Sequence, residues 1–496
     1  MSTTNTTRPA NSAALEWVAK LFKVLLTKLK PISAVMIMLC IWAPQIAVAD
    51  LVTVRDAVEK ALNTNPEIKI RFHAFRDVYN EGAVAKGGFL PKVNVSAGAG
   101  RDWLRSDYPG NQDYWQRSVK LELSQMLFDG FYTRSQVGQL KNSAQARYFE
   151  FMDAVQNIGL ESFKAYTDVL RCREMVCLSK RNYDYHLKIS DQITRRVHAG
   201  VGAGVDMDQI TARVALAKSN YMTELSNLHE VCDRYQRYVG DLPEENMQEV
   251  LLPDDGIPGN VGDAIKEAYQ YNAGFLSTMS DIKSAKYAVK MQESKFYPRL
   301  DFKASNSISW DPYADIGIYG RQNLGVVELA LTYNIFNGGS DAASLHQYRE
   351  KMYRAIDSKD KAATDLRQLV STAFNDKQTI TQQMKYFDQH RKSLESVRLG
   401  YQDQFNIGKR SLLDLLDTEN EYYQAQRAYF TGFFDLKIAN ARTLAGMGKL
   451  LSTIGVVRAE MPSLKDLGIP MPGVTESDVP SSVVTPPVTS NELEKE

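Results

Sequence analysis

Cysteine is scarce in this chain, with four in 496 residues, and histidine is nearly so, with six. Neither type clusters: His73, His186, His198, His229, His346 and His390 lie far apart, with no second ligand at metal-binding spacing. No phosphate-binding GxxxxGK[ST], no HExxH and no GxSxG occurs, which leaves no catalytic signature and no requirement for a cofactor. The glycines at 200, 202 and 204 follow no strand and read as a flexible turn. Net charge is also missing. Lys and Arg balance Asp and Glu at 59 each, without the basic excess of a nucleic-acid binder. Beyond residue 49 no run is apolar enough to form a membrane-spanning helix.

The first 49 residues stand apart. Lys20, Lys23, Lys28 and Lys30 precede the apolar run ISAVMIMLCIWAP, and AVA then leads into Asp50. A basic region, a short apolar core and an Ala-x-Ala site predict a secretory signal peptide over 1–49, cleaved after Ala49. The run falls short of the roughly 20 residues a spanning helix needs. Cleavage removes five basic residues and one acidic one, leaving a formal charge of −4.

What the chain does have is a repeat. DAVEKALNTNPEIK at Asp56 is echoed by DAIKEAYQYNAGFL at Asp263, and FLPKVNV at Phe89 by FYPRLDF at Phe296. LELSQMLFDG ends at Gly130 and ALTYNIFNGG places its matching glycine at Gly338; Gly200–Asp206 matches Gly408–Asp414. Four pairs in one register predict a tandem duplication. The first repeat covers 50–240 and the second 263–451, joined by a proline-bearing linker over 241–262. A C-terminal segment, 452–496, is Pro-, Ser- and Thr-rich and is expected to be disordered from about 470.

Each half opens with a short helical segment and then alternates. Val93 and Val95 alternate with Asn94 and Ser96; Leu300, Phe302 and Ala304 alternate with Asp301, Lys303 and Ser305. Val119, Leu121 and Leu123, and then Val327, Leu329 and Leu331, repeat the pattern. Period-two alternation predicts half-buried strands at about 91–103, 117–128, 298–310 and 324–336. After each hairpin come 60 to 70 residues without proline, rich in helix formers. Such helices far exceed the ordinary globular length and predict a coiled-coil-like array, turning near Gly200 and Gly408 into a second long helix.

Four strands cannot close into a membrane barrel, since about eight is the minimum for one chain, and an open sheet leaves unpaired edges that lipid cannot satisfy. Three chains of four strands would close a twelve-stranded barrel. The alternative is a soluble periplasmic coiled-coil scaffold or adaptor. The fold class expected is therefore mainly α with a transmembrane β-barrel: a duplicated hairpin-plus-long-helix repeat, four strands per chain, and a long helical tunnel.

The repeat order, the FLP and FYP strand starts, and NIGKRSLLDLLDTENEYYQAQRAY (406–429) together resemble the TolC family of outer-membrane export channels. The resemblance spans about Asp50–Leu451. It implies a homotrimer in outer-membrane lipid with a large periplasmic portion. The partners implied are a periplasmic adaptor (membrane fusion) protein and an inner-membrane ABC transporter or proton-driven efflux pump. The motif, with ANARTLAGMGKLL (439–451), looks most like channels of type I secretion, the adhesin-exporting kind; multidrug efflux is the alternative.

The resemblance also assigns a gate. Gly200 and Gly408 become tip turns at the periplasmic end, and Asp414 with Asp417, one helical face at i and i+3, become a carboxylate ring. Unit charges about 8 Å apart repel by roughly 2 kcal/mol at an effective dielectric near 20, so such a ring attracts cations. The latch positions are Arg410 and Phe405 against Asp206 and Val205, with Arg410–Asp206 as a charge-assisted link. Phe405 stands where tyrosine is usual, and Val205 offers no side-chain acceptor. Finally, Cys172 and Cys232 lie symmetrically about residue 202, so a disulfide across the first helical hairpin is open alongside free thiols.

Overall fold

The computed structural model describes residues 52–456, apart from 106, 108, 109, 253–255 and 317, together with 467, 471–475 and 479. The expected signal peptide and most of the expected disordered tail lie outside the described residues. Within the tail, Val474 and Val479 pack against a buried cluster that includes Ala264 and Phe275.

The opening segment of each half is two helices rather than one. Helix α1 (Val54–Thr64) starts at a capping box between Thr53 and Asp56. It stops at Asn65, whose side chain caps α2 (Pro66–Lys86), with Pro66 in the first turn, where its missing N–H costs nothing. The second half repeats the device, with Asn260 capping α5 (Val261–Tyr271) and Asn272 capping α6 (Ala273–Glu293).

Strands β1 (Lys92–Leu104), β2 (Gln112–Phe128), β3 (Arg299–Trp310) and β4 (Arg321–Thr332) form one antiparallel sheet in the order β1-β2-β3-β4. β2 begins earlier than its alternation suggested. β4 ends at Thr332 rather than near 336, because its last partner is Arg299 and the preceding Pro298 has no N–H to continue the ladder. The register puts Val93 opposite Leu123, Val95 opposite Leu121, and Phe302 opposite Leu329, all on one face. The other face carries Asn94 opposite Glu122, Glu122 opposite Ser305, and Lys303 opposite Glu328. Val95, Val327, Leu329 and Leu331 are 66–73% exposed, so no other part of the described chain covers the apolar face.

Helices α3 (Tyr132–His198) and α7 (Ser340–Asn406) each run 67 residues, about 100 Å at roughly 1.5 Å per residue. They return through α4 (Gly204–Val239) and α8 (Leu412–Gly446), and α9 (Leu450–Ile454) follows. None of the described helices is long and apolar enough to cross a membrane, which says nothing about a barrel. The largest core lies midway along α3. There Val58 and Leu62 of α1 meet Phe151, Phe163 and Val169 of α3 and Val231 and Tyr235 of α4. The segment between α4 and α5 wraps onto this core. Met247 bridges to Val52, and the hydroxyl of the buried Tyr166 lies 2.8 and 2.7 Å from the carbonyls of Val52 and Gln248, which share its one proton.

Candidate gate at the helical tips

Both long hairpins turn the same way. Gly200 and Gly408 take φ of 76° and 75°, a left-handed conformation that a side chain would strain. Val201 N–H then reaches back to the Arg196 carbonyl at 3.0 Å, and Lys409 N–H to the Gln404 carbonyl at 2.8 Å. The second tip is the better fastened. Ser411 caps α8, its hydroxyl accepting from the Asp414 N–H at 3.1 Å while the Asp414 carboxylate accepts from the Ser411 N–H and hydroxyl. Ala203 has no such side chain to offer α4.

The four helix ends share an apolar cluster: Ile189 and Ile193 of α3, Ile210 of α4, Phe405 of α7, and Leu412, Leu415 and Leu416 of α8. Leucines at these positions point inward, and Asp414 and Asp417 stand on the exposed side of the same helix. Each carboxylate has an assigned partner. Asp414 closes the cap, with the Arg410 guanidinium 3.8 Å away; Asp417 pairs with Arg213 of α4 at 2.7 Å.

Within the single chain the expected latch residues meet other partners. Within the chain Arg410 does not pair with Asp206. Its guanidinium lies over the Tyr401 ring at 4.2 Å, and its Nε donates to Gln404 at 3.0 Å, so the arginine is held by its own hairpin. Asp206 sits in the first turn of α4, where a carboxylate complements the helix dipole, and Val205 is 75% exposed. Phe405 is buried under Arg196, which stacks on its ring at 4.7 Å. The arginines that cross between hairpins, Arg196 and Arg213, were not singled out in the sequence. No local pattern marks them, because Arg213 and Asp417 are 204 residues apart.

One turn above the tip the seam becomes buried and ionic. Glu419 pairs with Arg398 at 3.3 Å, and burial pushes its carboxyl up despite the guanidinium. Burial holds His186 down to about 4, with Arg213 adding to the effect, so it is neutral at physiological pH.

Cys172, Cys177 and Cys232 are free thiols. The disulfide allowed by the symmetry of Cys172 and Cys232 is not made. Cys172 is buried in the field of Arg171, Asp168 and Glu224, whereas Cys232 sits in that of Arg173 and Asp233. Equal height on two helices is not enough when the side chains occupy different surroundings.

The family described as outer membrane efflux protein matches residues 57–230 and 264–445, one block in each half. This chain belongs to that family. It is an outer-membrane channel protein of the efflux and secretion type. Outer membrane efflux protein BepC of Brucella suis is 24% identical over 404 residues, covering 80% of this chain and 86% of the relative. Outer membrane protein TolC of Escherichia coli is 23% identical over 415 residues, covering 79% and 81%. Alkaline protease secretion protein AprF of Pseudomonas aeruginosa is 23% identical over 406 residues, covering 78% and 82%. Among solved structures, a membrane protein from Pseudomonas aeruginosa superposes with a TM-score of 0.71 at 17% identity, over 80% of this chain and 93% of that one. The efflux-family membership agrees with the TolC-like reading of the repeat.

Proposed function

We propose that three copies of this chain pool their sheets into a twelve-stranded outer-membrane barrel, continued by a helical tunnel in the periplasm. The observation that carries this reading is the open sheet. Its edge strands, β1 and β4, lack a second neighbour among the described residues, and one face is apolar and exposed while the other is polar. Because an even number of strands alternates in direction, β4 of one copy and β1 of the next are antiparallel. Closure therefore satisfies every edge with identical pairings. Lipid then covers Val95, Val327 and Leu329, and Glu122, Lys303 and Glu328 face water inside.

In this reading the tunnel receives substrate from an inner-membrane transporter through a periplasmic adaptor, and the tips form its gate. Asp414 and Asp417 of three copies ring the narrow end, and Gly200 and Gly408 set the turns. The cargo proposed is protein, by type I secretion of the adhesin kind. The 406–429 and 439–451 stretches support it, and a relative named for alkaline protease secretion is consistent with it. A relative named for efflux at similar identity supports the second reading, a drug-efflux channel with the same architecture.

A deletion strain separates the two. Protein secretion predicts that one large polypeptide disappears from the culture supernatant while drug susceptibility is unchanged. Efflux predicts an unchanged supernatant and lowered minimal inhibitory concentrations. Recovery of the wild-type chain as a soluble periplasmic protein would remove both.

A further inference from the structure

The tip contacts run opposite to the latch that the family resemblance implies. There, an arginine of the second hairpin reaches an acid of the first. Here the two arginines that cross at the tip itself come from the first hairpin: Arg196 of α3 covers Phe405 of α7, and Arg213 of α4 holds Asp417 of α8, whereas the arginines of the second hairpin that cross, Arg398 over Tyr185 and Arg427 to Glu224, do so higher up. Arg410, the second-hairpin arginine, is occupied by Tyr401, Gln404 and Asp414 of its own hairpin. We propose that each protomer's gate is fastened by this transposed pair of contacts, Arg196–Phe405 and Arg213–Asp417. Within the protomer Arg410 then shapes the second tip and makes no link to the first hairpin. The inference rests on the channel reading above.

Three features fit together under it. Phenylalanine at 405 suits a guanidinium stacked on a buried ring, because it presents a π face without a hydroxyl that would need a partner in an apolar cluster. Arg213 is the less exposed member of its pair, at 27% against 54% for Asp417, so the cation is the anchored side and the carboxylate the releasable one. Higher along the same seam, Arg427 pairs with the buried Glu224 at 2.6 Å and Arg171 with Asp435 at 3.1 Å. Glu224 is buried and costly to leave unpaired, so the movable part of the α7–α8 hairpin lies below it.

The arrangement also couples charge to state. While the latch is closed, the Asp417 carboxylate is neutralised by a residue of the same chain. When α8 moves away from α4, Arg213 stays behind and each protomer presents an uncompensated Asp417 to the lumen. The open gate is therefore more cation-selective than the closed one.

Single-channel recording on the purified full-length protein in planar bilayers tests this. Arg213→Gln and Arg196→Gln are each expected to raise resting conductance several-fold, and Arg213→Gln also to raise the cation-to-anion permeability ratio. Phe405→Leu keeps an apolar side chain in the cluster but removes the π face, and is expected to match Arg196→Gln. Arg410→Gln is expected to stay within about twofold of wild type. The exchange Arg213→Asp with Asp417→Arg restores the wild-type conductance if the contact is a latch, and leaves the channel leaky if Arg213 only supports the fold. A rise with Arg410→Gln but none with Arg213→Gln overturns the proposal and leaves the channel reading intact. Absence of any conductance in the wild-type protein overturns the channel reading itself, and the latch with it.

Discussion

Helices α3 and α7 are duplicates of equal length, yet they are buried very differently. Along α3, 28 of the 67 residues are buried, including Phe151, Phe163 and Tyr166; along α7 only seven are. Tyr353, Leu369, Tyr386 and Leu399 of α7 are each at least half exposed within the chain. Duplication copied the helix but not its surroundings. α3 is enclosed by α1, α4, α6 and the segment after α4, whereas α7 keeps an exposed face, which in the trimer proposed above a second copy of the chain would cover. On that proposal one repeat carries the stability of the protomer, and the other supplies the surface on which copies assemble.

Substitutions of similar size should therefore behave oppositely in the two helices. Phe163→Ala empties a site with no exposed surface in the main core and is expected to cost about 3–5 kcal/mol, read as lost folding yield and a lowered Tm in detergent. Tyr386→Asp or Leu399→Asp in α7 is expected to leave the helical circular dichroism unchanged while reducing the trimer on a non-dissociating gel. A stable trimer with both aspartates in place would show that this face is not an inter-chain surface.

A smaller effect should come from Asp281, where α6 packs on α3. Partial desolvation of this surface residue, reinforced by Glu150 and opposed by Arg147, pushes its carboxyl up to about 6. A carboxyl raised in the folded state favours folding below its unfolded value and loses that contribution as pH rises through about 6. Asp281→Asn is accordingly expected to be more stable than wild type by about 1 kcal/mol at pH 7.5, discounted for partial solvation, with the difference vanishing near pH 4. Equal Tm differences at both pH values would contradict it. The smallest effect concerns the thiols. Cys177 should alkylate first, Cys232 next and the buried Cys172 last, with no mobility shift on a non-reducing gel.

The uneven burial of α3 and α7 was not legible in their sequences, since both are proline-free and rich in the same helix formers. The architecture was legible because its signals are local. Pro91 and Pro298 start strands, glycines end the hairpins, and period-two alternation fixes which face of the sheet is apolar. The Asn65–Pro66 break was also written locally, but a continuous helical pattern on either side concealed it. The turns at Gly200 and Gly408 fell where expected. The contacts that join the two hairpins within the chain were not legible, because Arg196–Phe405 and Arg213–Asp417 are set by how two hairpins rotate against each other. Counting along one chain gives height on a hairpin, not the direction a side chain takes. The same limit separated Cys172 from Cys232.

The central claim is that the four-stranded sheet is one third of a barrel. Native mass spectrometry of the protein extracted from the outer membrane in mild detergent tests it most directly. The account predicts a single species of three chains with no free monomer. A monomer or dimer from the same membrane fraction would leave β1 and β4 unpaired in lipid and would contradict it.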